Sequence, residues 1–183
     1  ERVGSDPRSA TQIQNGLPDA RTHRGACFVL KQPLPKFNTQ AEWLVDTDRV
    51  NIERDCMILL HDLLPAGAVP EVLWFDADNN ILAISCAPPD AVIWKKELLA
   101  DRTSPDAAIH AGMLLAIMHS STTNEPPLRK RFGEPRLFIQ QRIDPYLRTV
   151  AGKYPALAPR IDPLVELLLT PLCLIHGDFS PKN

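Results

Sequence analysis

The last eight residues of the chain, HGDFSPKN (176–183), contain side chains suited to chemistry on phosphate. Transfer of a phosphoryl group needs a carboxylate that accepts a hydroxyl proton and an oxygen ligand that holds magnesium on the phosphates. Asp178 and Asn183 are residues of these two types, and a short loop can direct both toward one point. A polar turn after a strand is the alternative interpretation. A metal site built from His176 and Asp178 alone lacks further ligands at suitable spacing.

A lysine far upstream could bind the phosphates of a nucleotide. The apolar segment 26–31 is compatible with a short strand, and its alternation places Cys27, Val29 and Lys31 on one face. A lysine at a strand end can also extend its ammonium group into solvent. Lys31 therefore needs a partner before it can be assigned a role.

The segment that follows offers such a partner. Residues 48–64 have helical periodicity, and at ~100° per residue Glu53 lies inside the apolar arc. That arc consists of Ile52, Cys56, Met57, Leu60, Leu63 and Leu64. A buried carboxylate costs several kcal/mol unless it is paired, so we expect Glu53 to meet Lys31. Near the first helical turn, Glu53 could instead reach water.

The remaining elements position these residues. Two β-compatible runs, 69–75 and 81–85, flank a turn-rich connection and predict an antiparallel hairpin. Beyond a connector at 87–90 the chain becomes helical. Helices are expected over 105–121, 135–152 and 160–170, followed by a brief strand at 173–175 that delivers the terminal loop, while 1–24 is expected to be loop or weak strand.

Composition narrows the possible functions of the 183-residue chain. Its formal net charge of −2 is spread along the chain, so no basic face is available for nucleic acid. No apolar run reaches the ~18 residues that span a bilayer, and no membrane partner is expected. The four cysteines are far apart without a CxxC pair, which favours reduced core thiols. We expect a cytoplasmic protein, and the oligomeric state is left open.

In this order, the motifs resemble the aminoglycoside phosphotransferase and choline-kinase-like family of small-molecule kinases. The five-residue step from Asp178 to Asn183 equals the Asp-to-Asn step in the catalytic loop of kinases. The matching segments are CFVLKQ (27–32), RVNIERD (49–55), VPEVLWFD (69–76), ILAISCAP (81–88) and LIHGDFSPKN (174–183). The resemblance implies an α+β, protein-kinase-like bilobal fold, with a nucleotide-binding lobe at 1–86 and a partial helical lobe at 87–183.

The resemblance also implies roles for individual residues, with ATP and Mg²⁺ as cofactors. Lys31 would hold the α- and β-phosphates, Glu53 would orient Lys31, and Asp178 would be the catalytic base. Asn183 would bind magnesium. Val29 would cover the adenine, whose edge the backbone of Ser85, Cys86 and Ala87 would receive. The acceptor would be a small-molecule alcohol such as an aminoglycoside, choline, methylthioribose or a ketosamine.

Some features depart from the family pattern. Region 10–25, which should cover the phosphates, has only Gly16 and Gly25, and no GxxxxGK[ST] motif replaces it. The second magnesium-binding acid of such kinases lies downstream of the catalytic loop, so we expect a truncated fragment that is inactive by itself. Ser180 stands where protein kinases usually have lysine, which favours small-molecule substrates. A non-catalytic nucleotide-binding module and a helical partner-binding domain remain the alternatives.

Overall fold

The computed structural model describes residues 27–36 and 43–182; the predictions for 1–24 and for Asn183 therefore lie outside the described residues. The described part combines one small antiparallel sheet with several helices, which is the predicted α+β class. Two compact units are present. Residues 27–33 and 47–89 belong to unit 1, and residues 34–36, 43–46 and 90–182 belong to unit 2.

The sheet of unit 1 contains three strands in the order β1-β3-β2, with both neighbouring pairs antiparallel. These strands are β1 (Phe28–Lys31), β2 (Val72–Asp76) and β3 (Ile81–Ser85). The predicted hairpin is confirmed, although β2 begins at Val72 rather than at 69. Its turn is closed by Asp76, whose carboxylate accepts hydrogen bonds from the backbone N–H groups of Asp78 and Asn79, both at 3.0 Å. Asp and Asn favour such turns for this reason.

Helix α1 (Arg49–Leu63) packs on this sheet, but its apolar arc differs from the predicted one. Val50 is buried together with Leu82 and Ile84, whereas Ile52 is 38% exposed. Two residues along a helix correspond to a rotation of ~200°, so burying Val50 turns Ile52 toward solvent. The core cluster of Val50, Leu82 and Ile84 is completed by half-buried Val29, Met57, Val72 and Phe75.

Unit 2 is helical. The predicted helix 105–121 is α3, whose start is capped because Ser104 Oγ accepts a hydrogen bond from the Ala107 N–H at 3.3 Å. The predicted helix 135–152 is one continuous helical stretch with a π-helical middle, Ile139–Arg148, that contains Pro145. The helices are α2 (Trp94–Leu99), α3 (Pro105–Thr122), α4 (Pro126–Phe132), α5 (Arg136–Phe138), α6 (Thr149–Lys153) and α7 (Ala158–Leu168), with a 3₁₀ turn at Pro155–Leu157. None of the helices in the described residues is long and apolar enough to cross a membrane.

The strand expected at 173–175 is absent from the described residues, so that prediction was wrong. The backbone of this segment bonds to the end of α3 instead of to a neighbouring strand. The Leu172 carbonyl accepts a hydrogen bond from the Asn124 N–H at 3.1 Å, and the Leu174 N–H donates to Thr122 Oγ1 at 2.9 Å. An extended apolar run becomes a strand only where a partner strand lies beside it. The segment nevertheless leads into the loop as expected.

The expectation of reduced core thiols was wrong for two of the four cysteines. Cys27 and Cys86 form a disulfide, whereas Cys56 and Cys173 are not disulfide-bonded. The antiparallel register pairs Phe28 with Ser85, which brings the residues just outside this pair to a Cα–Cα distance of 5.5 Å. That distance is suitable for a disulfide. A separation of 59 residues conceals this proximity in the sequence.

Candidate active site

Lys31 and Glu53 form an ion pair between the end of β1 and the second turn of α1. The predicted pairing is therefore present in the structure. Val50 and Met57 lie one turn before and one turn after Glu53 and face the core, so the carboxylate is carried on the side of α1 that meets the sheet. The Lys31 side chain is 23% exposed and that of Glu53 is 36% exposed. The two side chains are therefore partly shielded from solvent, but a ligand could still reach them.

A second cation influences the same carboxylate. Burial lowers the pKa of Arg49 from its ordinary value, and the negative charges of Glu53 and Asp48 oppose that effect. Glu53 therefore interacts electrostatically with both Lys31 and Arg49. Removing Lys31 would leave Glu53 next to a remaining positive charge.

The residues expected around the adenine lie in unit 1, but their environments differ. Val29 is half-buried and packs against the core cluster. Ser85 makes two 2.9 Å hydrogen bonds with Glu71: its N–H donates to the Glu71 carbonyl, and its hydroxyl accepts from the Glu71 N–H. The Ser85 N–H is therefore already used.

Asp178 lies in unit 2, in the loop that follows the segment 173–175. Its Oδ2 is 2.9 Å from the Lys182 ammonium and 3.4 Å from a terminal nitrogen of Arg142. Its backbone N–H donates to His176 Nδ1 at 3.2 Å, so the imidazole restrains the loop. The carboxylate is 37% exposed, so it can meet a substrate while its position is restrained.

Gly177 gives the loop its sharp turn. Its φ of +75° is in the left-handed region, which glycine adopts without the steric cost of a side chain. The carbonyl oxygen of Gly177 accepts a hydrogen bond from Arg142 Nε, and the same guanidinium group reaches Asp178. One arginine from the helix therefore contacts both the backbone and the carboxylate of the loop.

These features match a known family. The model of the phosphotransferase enzyme family matches residues 10–183. The chain belongs to the phosphotransferase enzyme family. No curated protein is similar enough to the chain to give a significant match. Family membership indicates phosphoryl transfer as the general class of reaction.

The loop that contains Asp178, residues 176–182, is also held near its C-terminal end. The Pro181 carbonyl accepts a hydrogen bond from the Lys95 N–H at 2.8 Å, which attaches the loop to the first turn of α2. Ser180 Oγ and Trp94 Nε1 are both buried without a hydrogen-bond partner and adjoin these two residues in the chain. The contact with Lys95 restrains the loop between Asp178 and the position of Asn183.

Side chains that commonly bind metals are not clustered in the described residues. Among residues 27–36 and 43–182, no three His, Cys, Asp or Glu side chains are grouped as metal ligands. Magnesium prefers several oxygen ligands, but Asp178 Oδ2 is already next to two cationic side chains. Asn183, the predicted ligand, lies outside the described residues.

Two loop contacts were not anticipated from the sequence. Arg142 lies 35 residues before Gly177, and a single arginine in a polar helix carries no signal of its partner. Lys182 pairs with Asp178, which lies four residues before it in the chain. The i,i+4 relation of Lys182 to Asp178 could have revealed the second contact; nothing local could have revealed the first.

Proposed function

We propose that the chain carries the ATP-handling residues of a phosphotransferase that transfers the γ-phosphate of ATP to a hydroxyl group of a small molecule. The ion pair between Lys31 and Glu53 is the observation that carries this proposal, because it joins a strand lysine to a helix glutamate in a phosphotransferase-family chain. The proposed arrangement is kinase-like and two-lobed. Its nucleotide-binding lobe comprises 1–86 and its helical lobe begins at 87.

In this proposal Lys31 binds the α- and β-phosphates, and Glu53 keeps the ammonium group aimed at them. A lysine provides a compact charge with three donors, which suits phosphate oxygens. Val29 covers the adenine, and its edge is recognised by the backbone at 85–87. Because the Ser85 N–H is bonded to Glu71, Cys86 and Ala87 supply the donor in this arrangement.

Asp178 acts as the general base. It takes the proton from the acceptor hydroxyl as that oxygen bonds to the γ-phosphorus, and the bond from this phosphorus to the departing ADP oxygen breaks. The proton then resides on the Asp178 carboxyl group. Magnesium accompanies ATP as a cofactor that neutralises phosphate charge, and Asn183 keeps its predicted role as one ligand. No step is assigned to residues beyond these.

The proposed acceptor is a small alcohol, and no nucleic acid or membrane partner is proposed. We place the reaction in the cytoplasm, where ATP is abundant. Glutathione and thioredoxin keep most thiols reduced there, so the Cys27–Cys86 disulfide would exist in equilibrium with its thiols in that compartment.

The test uses the complete gene product that contains these 183 residues. ADP formation is measured with Mg²⁺ and ATP against aminoglycosides, choline, methylthioribose and ketosamines, alongside nucleotide affinity by calorimetry. Asp178→Asn is expected to reduce turnover at least ~10³-fold, because the variant can neither accept the proton nor position the acceptor hydroxyl. The affinity for ATP should stay within about twofold. Asp162→Asn, an exposed change in α7, is the matched control.

Three results would argue against parts of the proposal. Loss of ATP binding in Asp178→Asn would contradict the base assignment. Binding of ATP without turnover of any acceptor would favour the non-catalytic nucleotide-binding module. Absence of ATP binding by the unaltered protein would refute the proposed function itself.

A further inference from the structure

We propose that Arg142 is a positioning residue of the phosphotransfer loop, fixing the backbone at Gly177 and the carboxylate of Asp178 with one guanidinium group. This inference rests on the proposed function, because it takes Asp178 as the base. Arg142 Nε donates to the Gly177 carbonyl, and a terminal nitrogen lies 3.4 Å from Asp178 Oδ2. The other terminal nitrogen donates to the Gln141 carbonyl at 3.2 Å. All three nitrogens of the guanidinium group thus have contacts within unit 2.

Arg142 is itself held by a firmly anchored part of the helix. The next residue, Ile143, is completely buried. Two residues before Arg142, the Gln140 carbonyl accepts a hydrogen bond from the indole N–H of Trp43 at 2.9 Å. The Trp43 ring also packs edge-to-face on Tyr146, four residues after Arg142, with centroids 5.9 Å apart. The Arg142 side chain is only 28% exposed. Its guanidinium group therefore has a restricted range of positions.

The loop needs such support because its own geometry supplies little. Gly177 has a left-handed φ. Glycine also has more accessible backbone conformations than any other residue, so its own conformational preference does not fix the loop. An ideal Cβ at Gly177 would lie 3.8 Å from Arg142 Nε, an ordinary contact, so the glycine is required for its backbone angle rather than for space. A hydrogen bond to the Gly177 carbonyl restricts the peptide group that also contains the Asp178 N–H.

Arg142 and Lys182 both meet Asp178 Oδ2, but they differ in what they can do. Lys182 is a half-exposed lysine inside the loop and moves with it. Arg142 comes from a separate helix, and its guanidinium group is planar with donors in a fixed arrangement. Arg142 therefore links the carboxylate to a separate helical segment of unit 2. We therefore assign the orientation of Asp178 to Arg142, not to Lys182.

The kinetic test compares Arg142→Gln with Arg148→Gln in the complete gene product. Arg148 lies in the same π-helical segment and pairs with Asp144 at 2.8 Å on the surface, so it is a matched control. A misplacement of about 1 Å costs on the order of 100-fold in rate. Arg142→Gln is expected to lower kcat ~10- to 100-fold with the KM for ATP within about twofold, and Arg148→Gln to leave both unchanged.

Two further variants separate positioning from a general structural role. Arg142→Lys keeps the positive charge but not the planar two-point contact, so it should restore part of kcat. In an Asp178→Asn background, Arg142→Gln should cause no further loss, because both changes act through the same carboxylate. A normal kcat for Arg142→Gln, or a fall in kcat that parallels a fall in melting temperature, would overturn the proposal.

A measurement that does not need turnover distinguishes this inference from the proposed function. Amide hydrogen exchange in 174–182 should quicken by at least ~10-fold in Arg142→Gln and stay unchanged in Arg148→Gln, because the tie at Gly177 is lost only in the former. If the unaltered protein has no phosphotransferase activity, the proposed function fails, and this comparison still decides whether Arg142 holds the loop. Unchanged exchange in Arg142→Gln overturns the inference even in an active enzyme.

Discussion

The pairing of Lys31 with Glu53 can be tested by a double-mutant cycle that measures stability and ATP affinity together. The variants are Lys31→Met, Glu53→Gln and their combination. Methionine keeps the length and packing of the lysine stem but lacks its charge, and glutamine keeps the shape of glutamate. Each single variant removes one charge of the pair, and the double variant removes both, so the coupling energy isolates the interaction between the two side chains.

The magnitude follows from the exposure of the pair. Exposed ion pairs contribute ~0.2–1 kcal/mol, whereas the Coulomb energy at 4 Å with an effective dielectric constant of about 20 is ~4 kcal/mol and is an upper limit. The side chains are 23% and 36% exposed, and the more exposed Glu53 is partly screened by solvent. We therefore expect a coupling energy of about 1 kcal/mol. The remaining attraction between Glu53 and Arg49 should make Lys31→Met the less costly single change.

The effect on the nucleotide should be larger than the effect on stability. Hydrogen bonds to charged groups contribute ~1.5–3 kcal/mol, so losing the ammonium of Lys31 should weaken ATP binding ~10- to 100-fold. Glu53→Gln leaves the ammonium present but less well aimed, and should weaken binding by less than Lys31→Met. The double variant should bind ATP no more weakly than Lys31→Met alone.

The assay follows urea unfolding by the fluorescence of Trp74, which lies in β2 of unit 1. Replacing the other tryptophans, Trp43 and Trp94, by phenylalanine makes the signal specific to that unit. ATP affinity is measured calorimetrically in the same proteins. The ion pair of Glu97 and Arg102 in unit 2 provides the control, since its cycle should leave ATP affinity unchanged. A coupling energy within ~0.3 kcal/mol of zero, or unaltered ATP binding in Lys31→Met, would refute the reasoning.

Two further predictions concern the framework of unit 1. Reduction of the disulfide between Cys27 and Cys86 should lower the free energy of unfolding by up to ~4 kcal/mol, because the bond closes a loop with a sequence separation of 59. Equal denaturation midpoints of the native protein with and without reductant would contradict this prediction. The control is the double serine variant, which should be insensitive to reductant. Hydrogen bonds from the Asn79 side chain and backbone lower the pKa of Asp76. A lowered carboxyl pKa stabilises the folded state above the unfolded value of ~3.9, and this contribution disappears as the pH falls through the folded-state pKa. Asp76→Asn should therefore lose less melting temperature on acidification than the native protein, and Asp78→Asn should behave like the native protein; identical acid dependence of the native protein and Asp76→Asn would disprove the role of Asp76.

Local signals accounted for much of the secondary structure. Ser104 and Pro105 predicted the start of α3, and the turn at 76–80 predicted the hairpin, because caps and tight turns depend on neighbours within a few residues. The short helices α2 and α4 were missed, since six or seven residues offer too few positions for a periodicity to be recognised.

Inferences that required knowledge of partners were less successful. The segment 173–175 has the composition of a strand, but in the described residues it lies beside the end of α3 and not beside another strand. The rotation of α1 about its axis buried Val50 instead of Ile52, because the sheet decides which side of an amphipathic helix is covered. The pairing of Lys31 with Glu53 could be predicted from the sequence, because a single carboxylate within an apolar helix face is unfavourable unless a cation lies nearby.

The sequence by itself predicted which residues of this phosphotransferase-family protein could take part in chemistry: a carboxylate in a short glycine-containing loop, and a strand lysine with a helix glutamate 22 residues later. Those predictions follow from residue type and from patterns within single segments of the chain. The tertiary structure alone decided that Cys27 meets Cys86 and that Arg142 meets Gly177 and Asp178. Contacts separated by 35 or 59 residues depend on strand register and helix packing, which arise only when distant segments bury their apolar surfaces together.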